Sequence, residues 1–233
     1  MPNFTGAGFQ ARDLGLLSYA QAWTIQQERM AARKAGRAGD TLLLVEHPHV
    51  ITLGRSARRE HLLEVPPGVE VHQTNRGGDV TYHGPGQLVG YPIFDLAGLR
   101  RAGGASGKDV AWYVRSLEEA LIGALAGFGI RAGRLPGLTG VWVEGLKIAA
   151  LGVHLSRWVT CHGFALNVNT DLRYFACIIP CGIRDHGVVS MARWLGREVD
   201  MNEVKRAVVD SFQKTFYETP CLAASSTSSF TTG

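Results

Sequence analysis

The chain reads as an α+β domain built on a mixed, mostly antiparallel sheet packed with helices. Three observations predict this. Strand-like runs cluster with hairpin signals, helical periodicity appears near both ends and in the middle, and regular strand–helix–strand alternation is missing. The first helix spans about 17–36, with Tyr19, Trp23 and Met30 spaced for one face. TLLLVEHPHVITLGR (41–55) reads as a strand interrupted at Pro48 and then a second short strand. Residues 70–96 have strand-like ends around a glycine-crowded loop.

Helix returns at about 107–128, where Val110, Val114, Leu117, Leu121, Leu125 and Phe128 recur at i, i+3 and i+4, with Gly129 as its stop. VWVEGLKIAALGVHL (141–155) has the form of a hairpin turning at Glu144-Gly145, and HGFALNV (162–168) follows as a strand. Asp200, three residues before Glu203, opens a last helix carrying Val204, Val208 and Phe212. Residues 1–220 are expected to form one domain, and the Ser/Thr-rich stretch 221–233 a disordered tail.

Of 233 residues, 45% are hydrophobic and 19% charged, the balance of an ordinary globular protein. No apolar run approaches the roughly 20 residues that span a bilayer. The opening MPNFTGAGFQARDLG lacks the basic-then-apolar pattern of a secretory signal, so a cytoplasmic protein is expected, with a monomer as the expected oligomeric state. The net charge of +4 is scattered, without a basic stripe or interleaved aromatics, which argues against nucleic acid and suits an acidic protein partner.

RGGDVTYHGPGQLVGYP (76–92) is the least ordinary stretch. Its glycines, Gly77, Gly78, Gly84, Gly86 and Gly90, allow positive φ and close approach of backbone to a ligand. Arg76, His83 and Tyr91 stand beside them. The stretch fits neither the dinucleotide fingerprint nor the phosphate loop. Glycines alone would make only a tight hairpin; with these flanking side chains the stretch reads as a binding loop. Cys177 and Cys181 sit four apart in FACIIPCGIRDHGV. They have ligand-like spacing, and Cys161-His162 and His47-Pro48-His49 add donors, but no second close pair has zinc-ribbon spacing. In a reducing compartment free thiols are favoured over a disulfide. A thiolate is a strong nucleophile, and a free Cys needs a nearby cation or base to form one. Lys147 opens the apolar run LKIAALGV, where it lies either on an edge facing water or in a site. A desolvated lysine gives up its proton more readily and can serve as a base.

Arg76-Gly77-Gly78 followed by Tyr82-His83-Gly84-Pro85-Gly86-Gln87 closely resembles the signature of the lipoyl(octanoyl) transferases. EHPHVITLGR (46–55), LKIAALGVHLSR (146–157), HGFALNVNTDL (162–172) and IPCGI (179–183) match in the same order, covering about residues 15–217. The resemblance implies a fold like the catalytic domains of biotin and lipoate protein ligases. It implies Cys181 as the acyl-accepting nucleophile, assisted by Lys147. Substrate contacts fall on Arg76, Gly77, Gly78, Asp79, Val80, Thr81, Tyr82 and His83, on Ala150, Leu151 and Gly152, and on His162, Gly163 and Phe164. His49 and Tyr91 are further candidates for the pocket.

The implied reaction moves an octanoyl group from the phosphopantetheine arm of acyl carrier protein to Cys181. From there it passes to a lysine of lipoyl domains in 2-oxo acid dehydrogenase complexes and the glycine cleavage H protein, the first step of endogenous lipoate synthesis. Backbone N–H groups at Gly77-Gly78 and Cys181-Gly182 would hold the oxyanion. No metal, cofactor or ATP is implied, and Cys177 packs as a small hydrophobe. The rival readings are an ATP-dependent lipoate or biotin ligase, which needs no cysteine, and a non-catalytic acyl- or zinc-binding protein. The chain departs from the family in having Gly187-Val188-Val189-Ser190 where Gly-Val-Thr-Ser is usual, and His154 where Arg is frequent.

Overall fold

The computed structural model describes residues 3–5, 8–179 and 186–218. In chain order the elements are β1 (Asn3–Thr5), β2 (Gln10–Leu16), α1 (Tyr19–Lys34), β3 (Thr41–Glu46), β4 (Val50–Leu53), β5 (Glu70–Gln73), β6 (Val80–His83), β7 (Gln87–Ile93), α2 (Val110–Ala126), β8 (Gly133–Leu135), β9 (Leu138–Val143), β10 (Leu146–Ser156), β11 (Val159–Asn167), α3 (Met191–Leu195) and α4 (Met201–Phe216). The larger sheet has the order β1-β2-β3-β7-β11-β10-β9-β8, and only its β2–β3 pair is parallel. The expected mixed, mostly antiparallel sheet is therefore present.

Alternation decides which face each side chain covers. Along β3, Leu42 and Leu44 join the cluster built with α2 and α4, while Leu43 and Val45 join the cluster under α1. β7 and β11 divide their residues the same way. The central strands are thus roofed on both faces, which is why TLLLVE is apolar at nearly every position. Ser18 and Gln21 form a reciprocal capping box at the start of α1, Asp109 caps α2, and Asp200 accepts from the N–H groups of Asn202 and Glu203 at α4. Each such cap contributes about 1 kcal/mol.

Three features differ from the sequence expectation. A second sheet, ordered β5-β4-β6, splits from the first at Pro48, which offers no N–H to continue a ladder. The strand expected from His162 begins at Val159, because Arg157 (φ 52°) and Trp158 (φ 64°) make a left-handed two-residue turn without the usual Asn or Gly. Helix α2 starts at Val110 rather than near 107, where its cap fixes it. The Ser/Thr-rich 221–233 lies outside the described residues. Among the described residues, no helix is long and apolar enough to cross a membrane.

Candidate active site

The Glu144-Gly145 turn, with φ of 48° and 80°, starts β10 so that Lys147 is its second residue. Register slips by one between Lys147 and Ala149 against β9. This bulge sends Ile148 and Ala149 into the same core, while Lys147 lines an open cleft of about 640 Å³. The lysine is only 6% exposed, and its Nζ lies 4.7 Å from the centre of the Trp142 ring. Its backbone is also paired on the other edge. Lys147 N–H donates to Gly187 O at 2.9 Å, and Val189 N–H donates to Lys147 O at 3.0 Å.

The glycine loop lies flat against β10. Gly77 N–H donates to Val153 O at 2.8 Å, and a Cβ on Gly152 would come within 2.9 Å of Gly77 O. Gly78 has φ of 85°, which favours glycine. The expected oxyanion donor at Gly77 is therefore already committed to Val153. Arg76 is buried beneath this loop. Its Nη2 donates to Thr52 O at 2.6 Å and to Thr52 Oγ1 at 2.9 Å.

Beside the loop runs a narrow slot of about 40 Å³. Of the sequence-derived contacts, Arg76, Gly78, Val80, Thr81 and His83 line it from one side. Ala150, Leu151, Gly152, His162, Gly163, Phe164 and Tyr91 line it from the other. Gly78, Leu151 and Gly152 face both slot and cleft, and so form their shared wall. Gly77 and Asp79 line the cleft alone; Asp79 accepts a hydrogen bond from His61 Nδ1. Tyr82 and His49 line neither. β6 alternation turns Tyr82 to its far side, where its hydroxyl bonds His49 Nδ1 at 2.7 Å and its ring stacks on Tyr174. These two therefore brace residues 172–177, the turn that leads toward Cys181 in sequence. Cys181 itself and Gly182 lie outside the described residues.

Burial keeps the imidazoles at the slot and just behind it neutral. It pulls His83 and His162 down to about 3 and His47 down to about 4. His162 Nε2 donates to Asn75 Oδ1 at 2.7 Å, and its ring stacks on Trp23. The Cys161 thiol is pushed up to about 12 by burial, and Cys177 is raised for the same reason, so both are poor thiolates. Among the described residues, no three His, Cys, Asp or Glu side chains gather as they would around a metal ion. Val189, at the departure from the family pattern, is 2% exposed in the main core. Sequence reasoning missed Tyr19, which closes one part of the slot, and the buried amides of Gln87 and Asn167. Gln87 stands in the quoted signature and Asn167 in HGFALNV, but amides give no periodic or charge signal.

Residues 18–213 match the lipoyl protein ligase A/B catalytic domain. The chain belongs to this family. It is similar to an octanoyltransferase of Solibacter usitatus, 55% identical over 210 residues, covering 88% of this chain and 91% of that one. An octanoyltransferase of Rubrobacter xylanophilus is 49% identical over 209 residues, covering 86% and 90%. Among solved structures, the bi-partite lipoate protein ligase of Thermoplasma acidophilum aligns with a TM-score of 0.67 at 18% identity, covering 88% of this chain and 83% of that one. Lipoate-protein ligase A bound with ATP aligns at 0.66 and 16%, covering 91% and 85%. At such identities the structural likeness concerns the fold alone.

Proposed function

We propose that the protein moves an octanoyl group from acyl carrier protein to a lysine of lipoyl domains through a thioester on Cys181. The observation that carries this reading is identity near one half, over about nine tenths of both chains, to octanoyltransferases. The geometry supports it at the point where chemistry is needed. A narrow slot lined largely by apolar groups meets, at Leu151, an open cleft containing a buried lysine. The chain on both sides of the Cys181 segment is held near that cleft: Ile179 N–H donates to His61 O, and Gly187 and Val189 pair with Lys147.

In the first step Lys147 takes the Cys181 proton, and the sulfur attacks the thioester carbonyl of the carrier-borne chain. The carrier thiolate leaves and recovers a proton. In the second step the ε-amine of the acceptor lysine attacks the Cys181 thioester, forms an amide and releases the thiol. Exchange of one thioester for another is nearly even in free energy, and thioester to amide is downhill, so no nucleotide is consumed. The acceptors are lipoyl domains of 2-oxo acid dehydrogenase complexes and the glycine cleavage H protein.

Intact mass spectrometry after mixing with octanoyl–acyl carrier protein tests the reading. The expected result is an octanoyl adduct that hydroxylamine removes, absent in Cys181→Ala and kept in Cys177→Ala. An adduct surviving Cys181→Ala, or transfer that requires ATP, would replace this reading with another.

A further inference from the structure

A continuous line of buried hydrogen bonds joins the slot to the backbone of Lys147. Arg76 Nε and Nη2 both donate to Thr52 Oγ1, which leaves that hydroxyl's own proton for His83 Nε2 at 3.4 Å. With Nε2 accepting on a neutral ring, the ring proton sits on Nδ1 and goes to Gln87 Oε1 at 2.8 Å. Gln87 Nε2 then donates to Tyr82 O at 3.2 Å and to Asn167 Oδ1 at 2.9 Å. Asn167 Nδ2 donates to Val189 O at 3.2 Å, and Val189 N–H closes the line on Lys147 O. Thr52, Gln87 and Asn167 are 0%, 1% and 3% exposed.

The two amides also share a cavity of about 10 Å³ with Lys147 and Val188. Two buried amides are a costly way to fill a core unless each polar atom has a partner, and such a network fixes one register. Here every partner is present in one orientation only, from the slot to the segment that follows Cys181 in sequence.

We infer that Gln87 and Asn167 are positioning residues: their paired amides hold the Gly187–Val189 segment against the start of β10 and so fix Lys147 for the reaction. The inference rests on the acyl-transfer reading above. It makes occupancy of the slot wall and placement of the lysine parts of one hydrogen-bonded unit.

The test is a double-mutant cycle on the rate of octanoyl-enzyme formation, followed by intact mass. Asn167→Asp keeps the acceptor for Gln87 and removes the donor to Val189 O. It is expected to slow acylation about 10- to 100-fold through kcat, with KM for the acyl carrier substrate unchanged. In a Lys147→Ala background the same change should cost almost nothing further, because the group it positions is gone. Gln87→Glu keeps the acceptor for His83, removes the donor to Asn167, and should behave alike if Asn167→Asp does not melt cooperatively. Multiplying losses, a loss confined to KM, a wild-type rate, or failure of both variants to fold would each overturn the inference. A slow Lys147→Ala beside a fast Asn167→Asp removes this inference alone; a fast Lys147→Ala removes the proposed mechanism as well.

Discussion

The slot and the cleft share one wall and are built in opposite ways. The slot is narrow, walled on one side by the glycine loop, and lined by apolar side chains, neutral imidazoles and one guanidinium with donors held by Thr52 and the loop backbone. The cleft is wide and carries the lysine and the Asp79–His61 pair. A fatty chain asks for a fixed, dry binding wall. Two protein substrates that must arrive in turn ask for an open face. On the proposed reading, recognition of the chain falls to the strands and loop that wall the slot, and the chemistry to the cleft beside them.

The largest effect that would break this division is on the cleft side. Lys147→Ala should lower the acylation rate about 10²–10⁴-fold, as loss of a general base does. A single-turnover assay decides it; a loss in acceptor transfer with normal loading would move the lysine to the second step. Next, Leu151→Trp fills the shared wall and should depress octanoyl loading about tenfold more than loading of an acetyl thioester. Equal losses for both acyl lengths would mean that the slot does not hold the chain.

A smaller effect separates the two regions by pH. The unfolded histidines titrate near 6.5, whereas burial holds His47 at about 4 and His83 and His162 at about 3. Below pH 6.5 the unfolded chain therefore takes up protons that the native slot refuses. Stability present above that pH is lost as pH falls, by roughly 1 kcal/mol per histidine between pH 7 and 5.5. Urea midpoints at the two pH values measure this, and His83→Gln should flatten the dependence by about a third of the three-histidine contribution. The smallest expected change is Val189→Thr. Placing the family's usual hydroxyl in this apolar core should lower the melting temperature by a few degrees without raising the rate. A faster enzyme would show that the valine is a functional deficit.

Much of the frame was legible because it rests on local chemistry. Glu144-Gly145 announces a hairpin by its left-handed residues, and Asp200 announces a helix by its cap. The alternation that buries TLLLVE on both sides is legible as an apolar run. The second sheet was not, since a proline marks a break without saying where the chain goes next. The Arg157-Trp158 turn carries no residue that favours positive φ, so β11 read three residues short. At the site, motifs more than 80 residues apart do meet across the slot, as the Asn75–His162 bond illustrates. Tyr82 was misread for a simple reason. A signature run along a strand presents alternate residues to opposite sides, so Tyr82 points away from the slot that Thr81 and His83 face.

The bulge on β10 has a consequence for how this molecule can change. It shifts the alternation of Lys147 by one position relative to the residues beyond Ala149. Edits to the length of the Glu144-Gly145 turn therefore act on the lysine while the slot stays as it is. Edits beyond Ala149 act on the wall that the slot shares with the cleft. One strand thus serves both recesses, with the bulge as the point at which its two stretches are offset from each other.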